Sequence, residues 1–345
     1  MSCDCQMSRM EREIEILQEE VEDIKTHGTA GVEKDIGELQ ERLEKLEDKL
    51  LSKIKEKMIS GIYFESWDEY KGRLKALNKD YNTVYLSFAN PKGSWNGHDW
   101  QGTGMQFHSS VTVVKEDIME LQKRGVTVML SVGGASYPFP DGFNAIEMVK
   151  MANAIGCDGI DIDWEGGGNW ANIINSFKQC QQAANGRCMK MSAAVWSTGC
   201  MQPVQGDQYR GMNINGLVTH GSYLDWLNIM AYDCGPPSMI SPNGSFYTYR
   251  VYYPGPLCMG FEVGKMGWGG YLTTKDDVKV AAGYTAADKL GDKNGYFIWS
   301  YRKDDYANGV THDYINETCK LLIGGERDVT MQCPWCANYV SLVKQ

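Results

Sequence analysis

Three carboxylic acids recur at every second residue in Asp158-Gly159-Ile160-Asp161-Ile162-Asp163-Trp164-Glu165. On a β-strand that spacing puts Asp161, Asp163 and Glu165 on one face, about 6.5 Å apart, with Ile160, Ile162 and Trp164 on the other. Carboxylates this close on a buried face repel one another, so at least one should keep its proton at neutral pH. A protonated acid beside an ionised one is what glycosidic bond cleavage requires. A calcium loop also alternates acids, but its fillers are polar and its centre is glycine. Ile160, Ile162 and Trp164 suit a strand packed against helices instead.

Apolar runs that alternate with helical patterns must position this strand. Strands are predicted over residues 59–64, 83–88, 126–132, 156–163, 189–195, 226–231, 257–261 and 296–300. Helices are predicted over 68–77, 115–124, 143–155, 170–184, 275–290 and 306–322. No clear helix falls in 202–223, and 236–256, rich in Pro, Gly, Ser and Tyr, reads as a long loop. Several strands are continuous apolar runs, as in parallel sheets covered on both faces. Eight such units predict an α/β fold, a (β/α)8 TIM barrel over residues 58–325 with its site at the C-terminal strand ends. Trp67, Trp95, Trp100, Tyr137, Trp170, Trp196 and Trp268 follow strands and are candidates for sugar stacking at that rim.

The octapeptide resembles the signature Asp-x-x-Asp-x-Asp-x-Glu of the family 18 glycoside hydrolases, the chitinase family, with Asp158, Asp161, Asp163 and Glu165 at its acidic positions. Ser131-Val132-Gly133-Gly134, one βα unit earlier, resembles the family's Ser-x-Gly-Gly motif. Met230-Ala231-Tyr232-Asp233 resembles its sixth-strand motif, and Trp299 the tryptophan of its eighth strand. The resemblance implies an endo-acting chitinase that cleaves β-1,4-linked N-acetylglucosamine polymers by a substrate-assisted, retaining mechanism. Glu165 would be the acid and base. Asp163 would orient the acetamido group, backed by Asp161 and Tyr232. Trp299, Met230, Asp233, Tyr63, Gly133 and Gly134 would contact the sugar, and Asp158 would be structural. Residues 262–274 are too few for the small domain that many members insert there, so an open, shallow cleft is expected. No cofactor is implied. His98, His108, His220 and His312 lack ligand spacing, so no metal is assigned.

The 34 basic and 44 acidic residues leave a net charge of −10. Without a basic excess the chain does not read as a nucleic-acid binder. No apolar run is long enough to span a membrane. Arg9, Glu11, Arg12 and Glu13 interrupt any secretory signal core, so the sequence reads as cytoplasmic, with lysis or incorporation in a virus particle as routes to an extracellular polymer. The 11 cysteines are an odd number and read as reduced thiols. Cys3-x-Cys5 and Cys333-x-x-Cys336 would make a four-thiolate zinc site only if the chain ends met.

Residues 10–57 carry two heptad seams. Met10, Ile14, Leu17, Val21 and Ile24 form the first, and Val32, Ile36, Leu39, Leu43, Leu46 and Leu50 the second. Residues 27–31 break them. A coiled coil joining several chains and a hairpin within one chain both fit. Residues 1–57 are read as the former, a homo-oligomerisation segment, and 326–345 as a C-terminal tail. Two other functions fit the same features. One is an endo-β-N-acetylglucosaminidase acting on other glycans. The other is a carbohydrate-binding or structural protein, such as a virion component, displayed on a coiled coil. Lectins of this kind commonly lack the catalytic acid, whereas Glu165 is present.

Overall fold

β-Branched and aromatic residues form eight strands in the computed structural model: β1 (Ile59–Glu65), β2 (Thr83–Ala89), β3 (Thr127–Gly133), β4 (Gly159–Trp164), β5 (Lys190–Trp196), β6 (Trp226–Met230), β7 (Leu257–Glu262) and β8 (Gly295–Trp299). Each pairs in parallel with its neighbour in sequence, and β8 closes on β1 to make the barrel. The helices are α1 (Val111–Lys123), α2 (Ala145–Ile155), α3 (Trp170–Ala183), α4 (Ser245–Tyr252), α5 (Lys275–Ala287) and α6 (His312–Leu322). The structure describes residues 58–137, 143–165, 170–184, 189–197, 208–209, 212–213, 223–232, 245–264, 271–302 and 308–324. The heptads of residues 1–57, the tail 326–345, Asp233, Trp268 and the paired Cys motifs lie outside them.

The period of two sorts the strand side chains into two layers. Ile62, Phe64, Leu86, Leu130, Ile160, Ile162 and Trp164 join the outer core between sheet and helices. Tyr63, Tyr85, Met129, Ala194, Trp226, Met230, Cys258 and Phe297 fill the barrel interior. Asp161 and Asp163 share the parity of the interior residues and are 0% and 4% exposed.

One device recurs at the N-terminal end. The residue preceding each even strand is Asn or Asp, and its side chain accepts the N–H of a residue near the start of the preceding strand. Asn82 takes Ser60 at 2.9 Å, Asp158 takes Val128 at 2.8 Å, Asp225 takes Met191 at 2.7 Å and Asn294 takes Leu257 at 3.0 Å. Asp158 is therefore one of four equivalent ties between strands.

Several predicted boundaries are corrected. Residues 68–77 are not one helix but two 3-10 turns, Ser66–Lys71 and Leu74–Ala76, because Gly72 at φ 157° and ψ 146° leaves helical space between them. The expected strand start at 156 belongs to a helix end: Gly156, at φ 93°, is the left-handed cap of α2. The expected loop 236–256 contains α4. Phe246, Tyr249 and Tyr253 recur on one helical face and are buried there. Within 202–223, the antiparallel pair Gln208–Tyr209 and Met212–Asn213 is described.

Candidate active site

The acidic strand meets its partners through sheet register. Ser131 on β3 and Ser192 on β5 both lie opposite Asp161. Ser131 Oγ donates to Asp161 Oδ2 at 2.8 Å and Ser192 Oγ to Oδ1 at 2.6 Å. Tyr63 Oη adds a third hydrogen bond to Oδ2 at 2.9 Å. The tyrosine is held in turn. Asn228 Nδ2 donates to Tyr63 Oη and Tyr85 Oη to Asn228 Oδ1, both at 3.3 Å, and Trp226 Nε1 donates to Tyr85 Oη at 2.7 Å. Indole N–H can only donate, so the chain of donors runs one way, from Trp226 to Asp161.

Asp163 differs. Its Oδ1 is buried and has no hydrogen-bond partner among the described residues. Burial pushes its pKa well above the usual carboxylate range, and the charges of Glu165 and then Asp161 push it further. Burial also raises the pKa of Asp161, but the three hydroxyl donors pull it back. Burial thus favours the neutral form of both carboxyls, and only Asp161 has hydroxyl donors that offset it. Glu165 lies just past the end of β4 and is half-buried.

Two glycines border this pair. Gly133 is opposite Asp163 in the sheet, and Gly134 N–H donates to the Asp163 carbonyl at 2.9 Å. Gly134 has φ +77°, and a Cβ there would lie 2.8 Å from the Phe88 ring. Phe88 in turn stacks on Trp299, with ring centroids 5.6 Å apart at 15°. Trp299 is half-buried at the end of β8, near Tyr63 at 5.8 Å and Trp67 at 6.5 Å. Met230 and Tyr232 come from the end of β6, and the Tyr232 ring lies edge-on to Phe297 at 6.2 Å.

The structure thus gathers Tyr63, Gly133, Gly134, Asp161, Asp163, Glu165, Met230, Tyr232 and Trp299 at one end of the barrel. Trp67, Tyr137 and Trp196 also pack against the interior cluster. Trp95 and Trp100 do not. They face each other at 6.1 Å and pack on the outer core, and Trp100 Nε1 is taken by the Ser109 carbonyl at 2.8 Å. Sequence reasoning missed Ser192, Asn228, Tyr85 and Phe88. Parity along β5 and β6 marks Ser192 and Asn228 as inward, but their partners depend on register. Among the described residues no His, Cys, Asp or Glu group is arranged to hold a metal, and no helix is long and apolar enough to cross a membrane. Cys157, Cys180, Cys258 and Cys319 are buried free thiols.

Comparisons with known proteins bear on the family and the fold. A chitinase of Plasmodium falciparum is 31% identical over 130 residues, covering 34% of this chain and 34% of that protein. Chitinase 1 of Aphanocladium album is 24% identical over 213 residues, covering 50% and 48%. The chain thus spans about a third to a half of these curated relatives. The solved structure of a fungal endo-β-N-acetylglucosaminidase of glycosyl hydrolase family 18 superposes with a TM-score of 0.58 at 15% identity, covering 78% of this chain and 99% of that one, which shows a shared fold. Residues 60–254, more than half of the chain, match the glycosyl hydrolases family 18, and the protein belongs to that family.

Proposed function

We propose that this chain cleaves β-1,4 bonds within chitin, with the substrate's own acetamido oxygen as nucleophile. The observation that carries the reading is Asp163: a buried carboxyl between Asp161 and Glu165, with one oxygen that none of the described residues satisfies. A substrate N–H is the kind of donor that completes it. By holding the acetamido group there, Asp163 turns the carbonyl oxygen toward the anomeric carbon, and the negative charge that it shares with Asp161 stabilises the positive charge that develops, the kind of preorganised electrostatics that lowers barriers most. Tyr232 supplies a phenol for the same carbonyl. Glu165 protonates the leaving oxygen and then activates water. Asp163 and Glu165 lie close enough for their charges to interact, whereas a carboxylate nucleophile would attack from the face of the sugar opposite the acid.

Trp299 provides the ring on which a sugar face stacks, and Tyr63, Met230, Gly133 and Gly134 line the same site. The 262–274 segment is too short to carry an inserted domain, which suits internal cleavage of a long polymer. Residues 1–57 join several chains through their heptads. The test is to digest chito-oligosaccharides and follow the new reducing ends by NMR before they mutarotate. Products of β configuration, and no cleavage at de-N-acetylated units, are expected. Initial α product, or a glycosylated Asp163 found by mass spectrometry, would overturn the mechanism. Cleavage of N-glycans without cleavage of chitin would assign the endo-β-N-acetylglucosaminidase activity instead.

A further inference from the structure

Trp299 ends β8, and the backbone that leaves it is tied down by groups other than the reacting carboxylates. Glu65, the last residue of β1, is 5% exposed. Its Oε1 accepts the Ser300 hydroxyl, and its Oε2 accepts the Arg302 N–H at 3.2 Å. Between those two contacts the Tyr301 N–H donates to the Tyr63 carbonyl at 2.9 Å. On the other side, His312 Nε2 lies 2.9 Å from the Ser300 carbonyl. Burial lowers the pKa of His312, and a neutral ring protonated at Nε2 is the donor that this contact needs. The Arg302 guanidinium folds back over Phe64 at 5.1 Å and Tyr301 at 4.4 Å and donates to the Gly72 carbonyl.

These ties act on the backbone directly beyond Trp299, while the indole itself stacks on Phe88 from β2. The stack sets the tilt of the ring, and the ties set where the stack is made. A flat aromatic surface binds a sugar face only if it is held at one height and angle, and an unfixed ring loses affinity to the cost of ordering it. We infer that Glu65 is a positioning residue: through Ser300 and Arg302 it holds the Trp299 indole in place as the sugar platform. The inference rests on the reading of Trp299 as a sugar-binding ring. A merely structural Glu65 would knit β1 to β8 without affecting recognition.

The test uses the full chain labelled with 5-fluorotryptophan, with the Trp299 fluorine resonance assigned by Trp299→Phe. Glu65→Ala should broaden or split that resonance. In a Glu165→Gln background it should also weaken chitohexaose binding, measured by calorimetry, by at least about tenfold, the ordering cost of a few freed groups. With Glu165 intact, the change should appear in KM more than in kcat. Glu65→Gln keeps one acceptor for Ser300 and should stay within about threefold of the parent. If Glu65→Ala does not fold, Ser300→Ala removes one of the two contacts while keeping the Glu65 carboxyl and should shift both readouts in the same direction. An unchanged resonance together with unchanged affinity would overturn the inference. If the parent protein does not bind chitohexaose at all, the chitin reading fails, and the fluorine resonance alone decides the role of Glu65.

Discussion

Asp158 and Asp163 flank the same strand and meet opposite fates. At the N-terminal end of the barrel, Asp158 accepts the Val128 N–H at 2.8 Å, one of four such ties around the rim. At the C-terminal end, Asp163 is buried with an oxygen that none of the described residues satisfies. One carboxyl completes the hydrogen bonding of its surroundings, and the other is left incomplete for a ligand to complete. A buried polar group without a partner costs stability, and such sites persist where function needs them. The comparison separates the end of a (β/α)8 barrel that maintains the fold from the end that does chemistry.

The largest expected effect lies at the chemical end. Glu165→Gln preserves shape and removes the proton donor, so turnover on chito-oligosaccharides should fall at least about a hundredfold while calorimetric binding persists. Turnover within a few-fold of the parent would assign the acid elsewhere.

Asp163→Asn should lower turnover by a factor on the order of a hundred, through loss of oriented electrostatics, and should also stabilise the fold at neutral pH. The sign follows from the raised pKa. Below the unfolded-state value of about 4, both states hold the proton. As pH rises from there toward the folded-state pKa, the unfolded chain releases its proton first, and the parent protein loses stability. The amide variant escapes that loss. Thermal melts should therefore give the variant a higher Tm at pH 7 and a smaller advantage near pH 4. A uniform difference across pH would contradict the raised pKa of Asp163.

Asp158→Ala should do the reverse. It leaves the Val128 N–H without its side-chain partner and should cost roughly 1–3 kcal/mol in chemical denaturation. Turnover per folded molecule should change little. A selective loss of turnover would place Asp158 in the chemistry and erase the distinction between the two ends.

The smallest effect on either end should come from deleting residues 1–57, since both ends are built from residues beyond them. The shortened chain should melt and turn over like the parent but scatter light as a monomer, and the intact chain should scatter as a multimer. A monomeric intact chain would favour the helical hairpin.

Much of the barrel and of its acidic strand is legible in the residues alone. The alternation in Ile160-Asp161-Ile162-Asp163-Trp164 marks a strand with one acidic and one apolar face, and the apolar face is the one that packs on the outer core. All eight barrel strands follow from apolar runs, with shifts of up to three residues at their ends. The helix α4 is hidden because the Pro, Gly and Ser around it dominate the local composition, while Phe246, Tyr249 and Tyr253 carry the helical period. Glu65 is not legible as a partner of Ser300, because β1 and β8 meet only when the barrel closes.

The sequence by itself determined the order of the strands, the faces of β4 and the presence of three carboxyls at alternate positions, because these depend only on local periodicity. It also set the need for a shared proton, since like charges at that spacing repel. Only the tertiary structure decided how hydrogen-bond donors are shared between these carboxyls. Ser131, Ser192 and Tyr63 come from three other strands and converge on Asp161 through register, so Asp161 is held as the acceptor. Asp163, beside the side-chain-free Gly133, receives no such donor at Oδ1 from the described residues, and burial leaves the neutral form favoured.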